Sequence, residues 1–434
     1  MRRLRLLVAM FQGGGNVPLL LPIVSRLVAR GHRVRVIVGP GVRASRLPIS
    51  EHLEQSLRST GADVTRLRAP DIHPLDASPH ARGLVLGWVP RAFRGVLTEA
   101  RVACWIPHWA CEVASTLKRE NADAVVSDFN LTGPLVAAEA ADVPSATLVH
   151  NVYRGSVQGR PPWGPGWLPR ASAAGRLRDA AGTFVSNRLH ERDALPFLNS
   201  ARKSLGLRPV RSYSEQDHKT ARIIVLASPV FDSLSGLPVN VRLVGTPLGE
   251  ATPLLPRSRW FAVDGRPLVL VSLSTLAQGQ ATLMRRILTA LASLPVHALV
   301  TTGPALDPSR FTAPPNIVIE TFVPHRSVLP HASAMVTQCG LGTVMKALAH
   351  GVPLVCIPLV GDQPENAARV QALAAGVRLP PDAAPFRIRQ AIEHVLSEPA
   401  FRRAAQQVAK AIADEDPVQA AVREIESAVP LCVR

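Results

Sequence analysis

Short apolar runs alternate along the chain with stretches whose apolar positions recur every three to four residues. Leu4 to Phe11 is such a run, and Gly13-Gly14-Gly15 breaks it. From Val17 to Ala29 the apolar positions take helical spacing. Gly31-His32 stops them, and Val34 to Val38 restarts an extended run. Strand, glycine turn, helix and strand in that order predict a βαβ unit. The unit recurs, with Ala122 to Ser127 as strand, Leu131 to Ala141 as helix and Ser145 to Val149 as strand; Arg222 to Leu226 closes this half.

Prolines punctuate residues 228–260, and the domain connection is expected there. The alternation then resumes. Pro267 to Ser272, Val296 to Thr301, Asn316 to Glu320, Ala334 to Thr337 and Pro353 to Ile357 read as strands. Ala281 to Leu294, Thr343 to His350 and Asn366 to Ala375 read as helices, and residues 385–428 as terminal helices that pack back on the body. A chain of 434 residues suits two domains. The expected fold is α/β, with two facing Rossmann-like, doubly wound parallel sheets in residues 1–240 and 241–434. Ligands of such sheets lie beyond the carboxyl ends of the strands, so the site belongs in the interdomain cleft. Residues 151–215 interrupt the pattern. Arg160-Pro161-Pro162-Trp163-Gly164-Pro165-Gly166-Trp167 is poor core material, and helical character returns around 184–205. Two readings stay open for it: the wall of an apolar groove, or a loose surface loop.

A net charge of +17 raises the question of an anionic partner. The basic residues are scattered and nearly all arginine, without the stripe and interleaved aromatics that base stacking requires, so no nucleic acid is expected. A lipid surface stays open. Five cysteines form no CxxC pair and no His/Cys metal spacing, which fits a reducing compartment and a site without metal. No apolar run reaches the roughly 20 residues of a membrane span. Met1 to Met10 resembles a secretion signal only superficially and is read as the first buried strand. The expected location is cytoplasmic, with peripheral contact at the inner membrane face left open.

Chemistry concentrates in Phe322 to Ala368. A strand ends at Thr337, a turn carries Gly340 and Gly342, and a helix follows. Glycines allow close backbone approach, and a helix N-terminus offers unpaired N–H groups and a positive dipole end, together a phosphate site. Gly351-Val352-Pro353 and Asp362-Gln363 follow at fixed distances.

This segment resembles the donor-binding signature of the family 1, UDP-glycosyltransferase-like enzymes of GT-B type. It is more similar still to bacterial natural-product and cell-envelope glycosyltransferases. Gly13 to His32, Asp123 to Asn130, Ala138-Glu139-Ala140, Val143-Pro144 and Phe231 to Gly245 extend the resemblance over nearly the whole chain. The resemblance implies a role at each matching position. Phe322 stacks on the nucleotide base, Val323 contacts it through the backbone, and His325 lies at the base or ribose edge. Ser274 and Thr275 touch the diphosphate, and Gly340, Leu341, Gly342 and Thr343 cradle it. Asp362 and Gln363 bond the donor sugar hydroxyls.

Three positions depart from the family pattern. Gln338 stands where a histidine usually meets the diphosphate; its amide donates a hydrogen bond but carries no charge. Lys346 stands where many relatives have a ribose-binding glutamate. Asn16 stands where the family has its catalytic base, a histidine oriented by the aspartate that Asp128 matches. An amide does not act as a base near neutral pH. That leaves Asn16 to orient the acceptor or to bond Asp128, and leaves the proton to a desolvated Asp128. His150, at a strand end facing the cleft, is a spare base.

The resemblance implies inverting, metal-independent transfer of a hexose from a UDP- or TDP-sugar to a hydroxyl of a small hydrophobic natural-product or lipid-like acceptor. The nucleotide sugar is a co-substrate and no cofactor is expected. Asn16 and Gln338 keep an alternative open, a catalytically weak auxiliary protein that binds sugar nucleotides. An epimerase of GT-B type and a membrane-surface transferase are further alternatives.

Overall fold

The computed structural model describes residues 2–13, 15–40, 51–67, 93, 96, 101–157, 159–233, 236–249, 260, 264–273, 279–304 and 306–430. In the first half the elements are β1 (Arg5–Phe11), α1 (Val17–Ala29), β2 (Arg33–Gly39), α2 (Glu51–Ser59), β3 (Asp63–Arg66), α3 (Ile106–Arg119), β4 (Ala124–Asp128), α4 (Gly133–Ala140), β5 (Ser145–Val149), α5 (Ala173–Ser204), α6 (Tyr213–His218), β6 (Arg222–Val225) and β7 (Val241–Leu243). Its strands form one parallel sheet of order β3-β2-β1-β4-β5-β6-β7. β4 and β5 are buried at every position, as central strands of a parallel sheet covered on both faces are.

The second half contains β8 (Leu268–Ser272), α7 (Ala281–Ala292), β9 (His297–Thr301), β10 (Ile317–Glu320), α8 (His325–Val328), β11 (Ala332–Thr337), α9 (Leu341–Ala349), β12 (Leu354–Cys356), α10 (Gln363–Ala372), β13 (Gly376–Arg378), α11 (Pro385–Ser397), α12 (Pro399–Ile412) and α13 (Pro417–Ser427). Its sheet is again parallel, in the order β10-β9-β8-β11-β12-β13. Both orders reverse beside the first strand of their half, between β1 and β4 and between β8 and β11. The carboxyl ends at those two points hold the ligand crevices of doubly wound sheets.

Two boundaries move. β7 pairs with β6 in the first sheet, so the first domain runs past residue 240. α13 also belongs with that domain: Ala421, Val422 and Ile425 share a core with Leu19, Leu20 and Ile23 of α1. The Glu426 carboxylate locks this return, accepting from Arg30 Nε at 2.9 Å and meeting His32 Nε2 at 2.8 Å. The last helix thus packs on the opposite half of the chain. The 151–215 segment is no loose loop. Pro161, Pro162, Gly164 and Pro165 are buried, and Trp163 and Trp167 pack against Phe93 and Val96. Among the described residues no helix is long and apolar enough to cross a membrane.

Candidate active site

The first half brings three side chains together at its strand ends. After β1 the chain turns through Gly13, and Asn16 precedes α1. The Asn16 amide nitrogen donates to Phe11 O at 3.0 Å and to Asp128 Oδ2 at 2.9 Å. Its oxygen is buried without a partner among the described residues. A Cβ on Gly13 would stand 2.5 Å from that oxygen, so glycine is required for Asn16 to fit. β4 delivers Asp128 at its last position. The other carboxylate oxygen accepts from Asn130 N at 3.0 Å and Asn130 Nδ2 at 3.3 Å, closing an Asx turn. β5 runs parallel beside β4 with Leu148 opposite Asp128, and His150 follows two residues on. The His150 Nε2 atom lies 3.2 Å from Asp128 Oδ2, and the Phe129 ring meets the imidazole edge-on at 4.7 Å.

Burial disfavours a charge on His150, but the Asp128 carboxylate beside it outweighs this and its pKa ends above the ordinary value. Asp362 of the second half adds to the effect. Asn151, with its amide nitrogen turned to donate, reaches His150 O at 3.0 Å and Asp362 Oδ2 at 3.1 Å. This contact joins the two halves at the cluster.

In the second half β11 ends at Thr337, and Gln338, Cys339 and Gly340 make the turn into α9. Cys339 takes a left-handed φ of 71°, held by a bond from its N–H to Thr337 Oγ1 at 3.2 Å and by Asn366 Nδ2 donating to its carbonyl at 2.9 Å. Its thiol is buried and pushed well above the usual range by that burial, which suits packing and not nucleophilic attack. Among the described residues the turn is open in front: a Cβ on Gly340 would touch only Gln338 Nε2 at 3.8 Å, and one on Gly342 only Leu19 of α1 at 3.9 Å. The helix start at Leu341 to Thr343 thus faces the first half. Gln338 is buried and accepts from Thr337 Oγ1 at 3.3 Å.

Asp362 and Gln363 precede and open α10. Asp362 Oδ2 accepts from Asn366 Nδ2 at 2.7 Å, and burial raises its pKa. Gln363 Oε1 accepts from Leu359 N at 2.8 Å and Val360 N at 3.0 Å. Both side chains hold the loop that carries them. Phe322 is 75% exposed beyond β10, a flat apolar ring available for stacking, while Val323 is buried. His325 bonds Ser272 Oγ at 3.1 Å, and burial together with Lys346 lowers its pKa to about 4, so it is a neutral imidazole. Ser274 and Thr275 lie outside the described residues. No group of three or more His, Cys, Asp or Glu side chains among the described residues is arranged to hold a metal ion.

The structure thus gathers Asn16, Asp128, His150, Asn151 and Asp362 at one seam. The partnership of His150 with Asp128 and the roles of Asn130, Asn151 and Asn366 have no motif. The signal for the first was that both residues follow neighbouring strands of one parallel sheet.

Residues 285–427 match the family described as erythromycin biosynthesis protein CIII-like, C-terminal domain. The chain is 32% identical to 4'-demethylrebeccamycin synthase of Lentzea aerocolonigenes over 98% of its own length and 99% of that protein. Among solved structures it resembles the calicheamicin glycosyltransferase, with a TM-score of 0.70 at 23% identity and full coverage of both chains. The glycosyltransferase VinC, solved in complex with dTDP, gives a TM-score of 0.65 at 18% identity, covering 98% of this chain and 99% of that one. With its two parallel sheets and a full-length relative at this identity, the chain belongs to the family 1, UDP-glycosyltransferase-like GT-B glycosyltransferases.

Proposed function

We propose that the protein transfers a hexose from a UDP- or TDP-sugar to a hydroxyl of a small hydrophobic natural product, with inversion and without a metal or other cofactor. The observation that carries this reading is the turn at Gly340 to Thr343, which faces Leu19 of α1, the helix that Asn16 precedes. A diphosphate in that turn meets the N-terminal N–H groups of α9, and such preorganised dipoles stabilise a leaving group as its charge develops. The acceptor then approaches from the first domain, opposite the leaving diphosphate, as single displacement requires. The dTDP bound to VinC and the product names of the relatives support a nucleotide sugar and a natural-product acceptor. The expected location is the cytoplasm.

A thermal-shift series with UDP, TDP and their sugars tests the donor half. A ligand at 100 times its Kd stabilises the fold by about 2.7 kcal/mol, so the melting temperature rises by degrees. A flat response to every member overturns the reading. Asn16 favours a second reading, an auxiliary protein with a decayed site. Under it Asn16→His with Gln338→His yields a large gain of transfer over a wild type that is nearly inactive.

A further inference from the structure

The cluster contains two carboxylates, two amides and an imidazole, and one of them must take the acceptor proton. Asn16 is an amide and does not. Both oxygens of Asp128 are engaged, one by Asn16 and His150 and the other by two Asn130 donors, and its side chain is wholly inaccessible. Asp362 accepts from Asn366 and Asn151 on one oxygen and also from the Leu341 backbone N–H. His325 is tied to Ser272 on the second sheet.

We propose that His150 is the base of the transfer, and that it replaces the histidine which Asn16 has displaced. Nε2 lies 3.2 Å from Asp128 Oδ2 and 3.4 Å from the Asn130 amide nitrogen; the nearer, charged carboxylate takes the Nε2 hydrogen, which fixes the tautomer and leaves Nδ1 with the lone pair. In the step, the acceptor oxygen bonds to the anomeric carbon while its proton passes to His150 Nδ1. The bond from that carbon to the diphosphate breaks, and the electron pair leaves on the diphosphate. Asp128 stabilises the imidazolium that results. The logic is that of an Asp–His pair in which the carboxylate orients and the ring transfers the proton. Asn16 keeps its family place in a new role, donating to the same Asp128 oxygen that holds the ring. The charged groups facing His150 are Asp128 on β4 and Asp362 before α10; Arg154 lies over the adjoining Phe129 ring, 5.2 Å from its centroid.

The inference rests on the glycosyl-transfer reading, and two measurements keep the failures apart. Histidine ¹⁵N spectra of the full chain need no substrate, and the signal missing in His150→Gln identifies the residue. The expected result is a neutral ring protonated at Nε2, with a pKa that falls in Asp128→Asn. Protonation at Nδ1 overturns the proposal whatever the protein binds. The second measurement follows transfer from UDP-glucose or TDP-glucose to 4-methylumbelliferone. His150→Ala and His150→Gln lower kcat by about 10²-fold or more, erase the acidic limb of the pH profile, and leave the nucleotide-induced thermal shift intact. Added imidazole restores part of the His150→Ala rate, which a packing role does not predict. Variants within threefold of wild type overturn the proposal, whereas loss of nucleotide binding by the wild type sinks the donor assignment instead.

Discussion

The Glu365 carboxylate of α10 accepts the backbone N–H of Gly166, 2.7 Å away, and that of Gly164 at 2.9 Å. This fastens the proline-rich segment of the first half onto the helix that opens with Gln363. The clasp continues through Arg369, which bonds Glu365 Oε2 at 3.2 Å and Asp232 at 2.7 Å; Asp232 also holds Arg160 at 2.8 Å. The two halves of the cleft are therefore set relative to one another by a buried network that runs from Arg160, Gly164, Gly166 and Asp232 to the helix that follows the site loop.

Burial raises the Glu365 pKa from 4.5 to about 7, against the donors that lower it. Between those values the folded protein keeps a proton that the unfolded chain has lost. Stability from this group is full below about pH 4.5 and declines as pH rises to about 7, by about 3 kcal/mol in all. Glu365→Gln does not titrate, so its urea-unfolding free energy lacks this decline. Parallel pH profiles for the two proteins contradict the assignment.

Gly166 sits at φ +60°, and a Cβ there would stand 2.2 Å from the Pro364 carbonyl oxygen. Gly166→Ala must shift the loop or α10. Gly206 also has a positive φ, +76°, but open space around it. Gly206→Ala carries backbone strain alone, about 1 kcal/mol. Chemical denaturation is expected to show Gly166→Ala costing at least 2 kcal/mol more than Gly206→Ala, with transfer activity falling in step.

The parallel sheets were legible because their strands are buried on both faces and carry continuous apolar stretches, as at Leu268 to Val271 and Ala298 to Val300. β7 was not: it is three residues long, lies among prolines, and owes its place to pairing with β6. The first three turns of α5 were also missed, because Leu177 faces outward, 72% exposed, and no apolar stripe forms. At the site, Asp128 and Asn16 could be aligned on a motif. The roles of Glu365, Asp232 and Arg369 could not be read, because they lie in contacts made across about 130 to 200 residues of chain.

α13 completes the first core from the far end of the sequence. Ile425 is fully buried among Leu19, Leu20 and Ile23. Removing its branched side chain leaves a cavity, so Ile425→Ala is expected to cost about 2–5 kcal/mol. Hydrogen exchange should show the loss in α1 and β2, not in the second sheet that precedes it in the chain. Faster exchange confined to α11 and α12 contradicts the packing.

Gly342 offers the cleanest separation of fold from binding. A Cβ there meets Leu19 at an ordinary 3.9 Å, and its φ is not left-handed. The Gly342→Ala protein should therefore melt within about 1 °C of wild type, since alanine is the better helix former and offsets the small packing change. The new methyl nonetheless enters the open turn, where a diphosphate would need the backbone to approach closely. Titration with UDP or TDP should show affinity weakened about tenfold or more, a difference of about 1.4 kcal/mol. A variant that folds as well and binds as tightly means the phosphates lie elsewhere, because no other route lets this methyl be harmless in a turn that grips them.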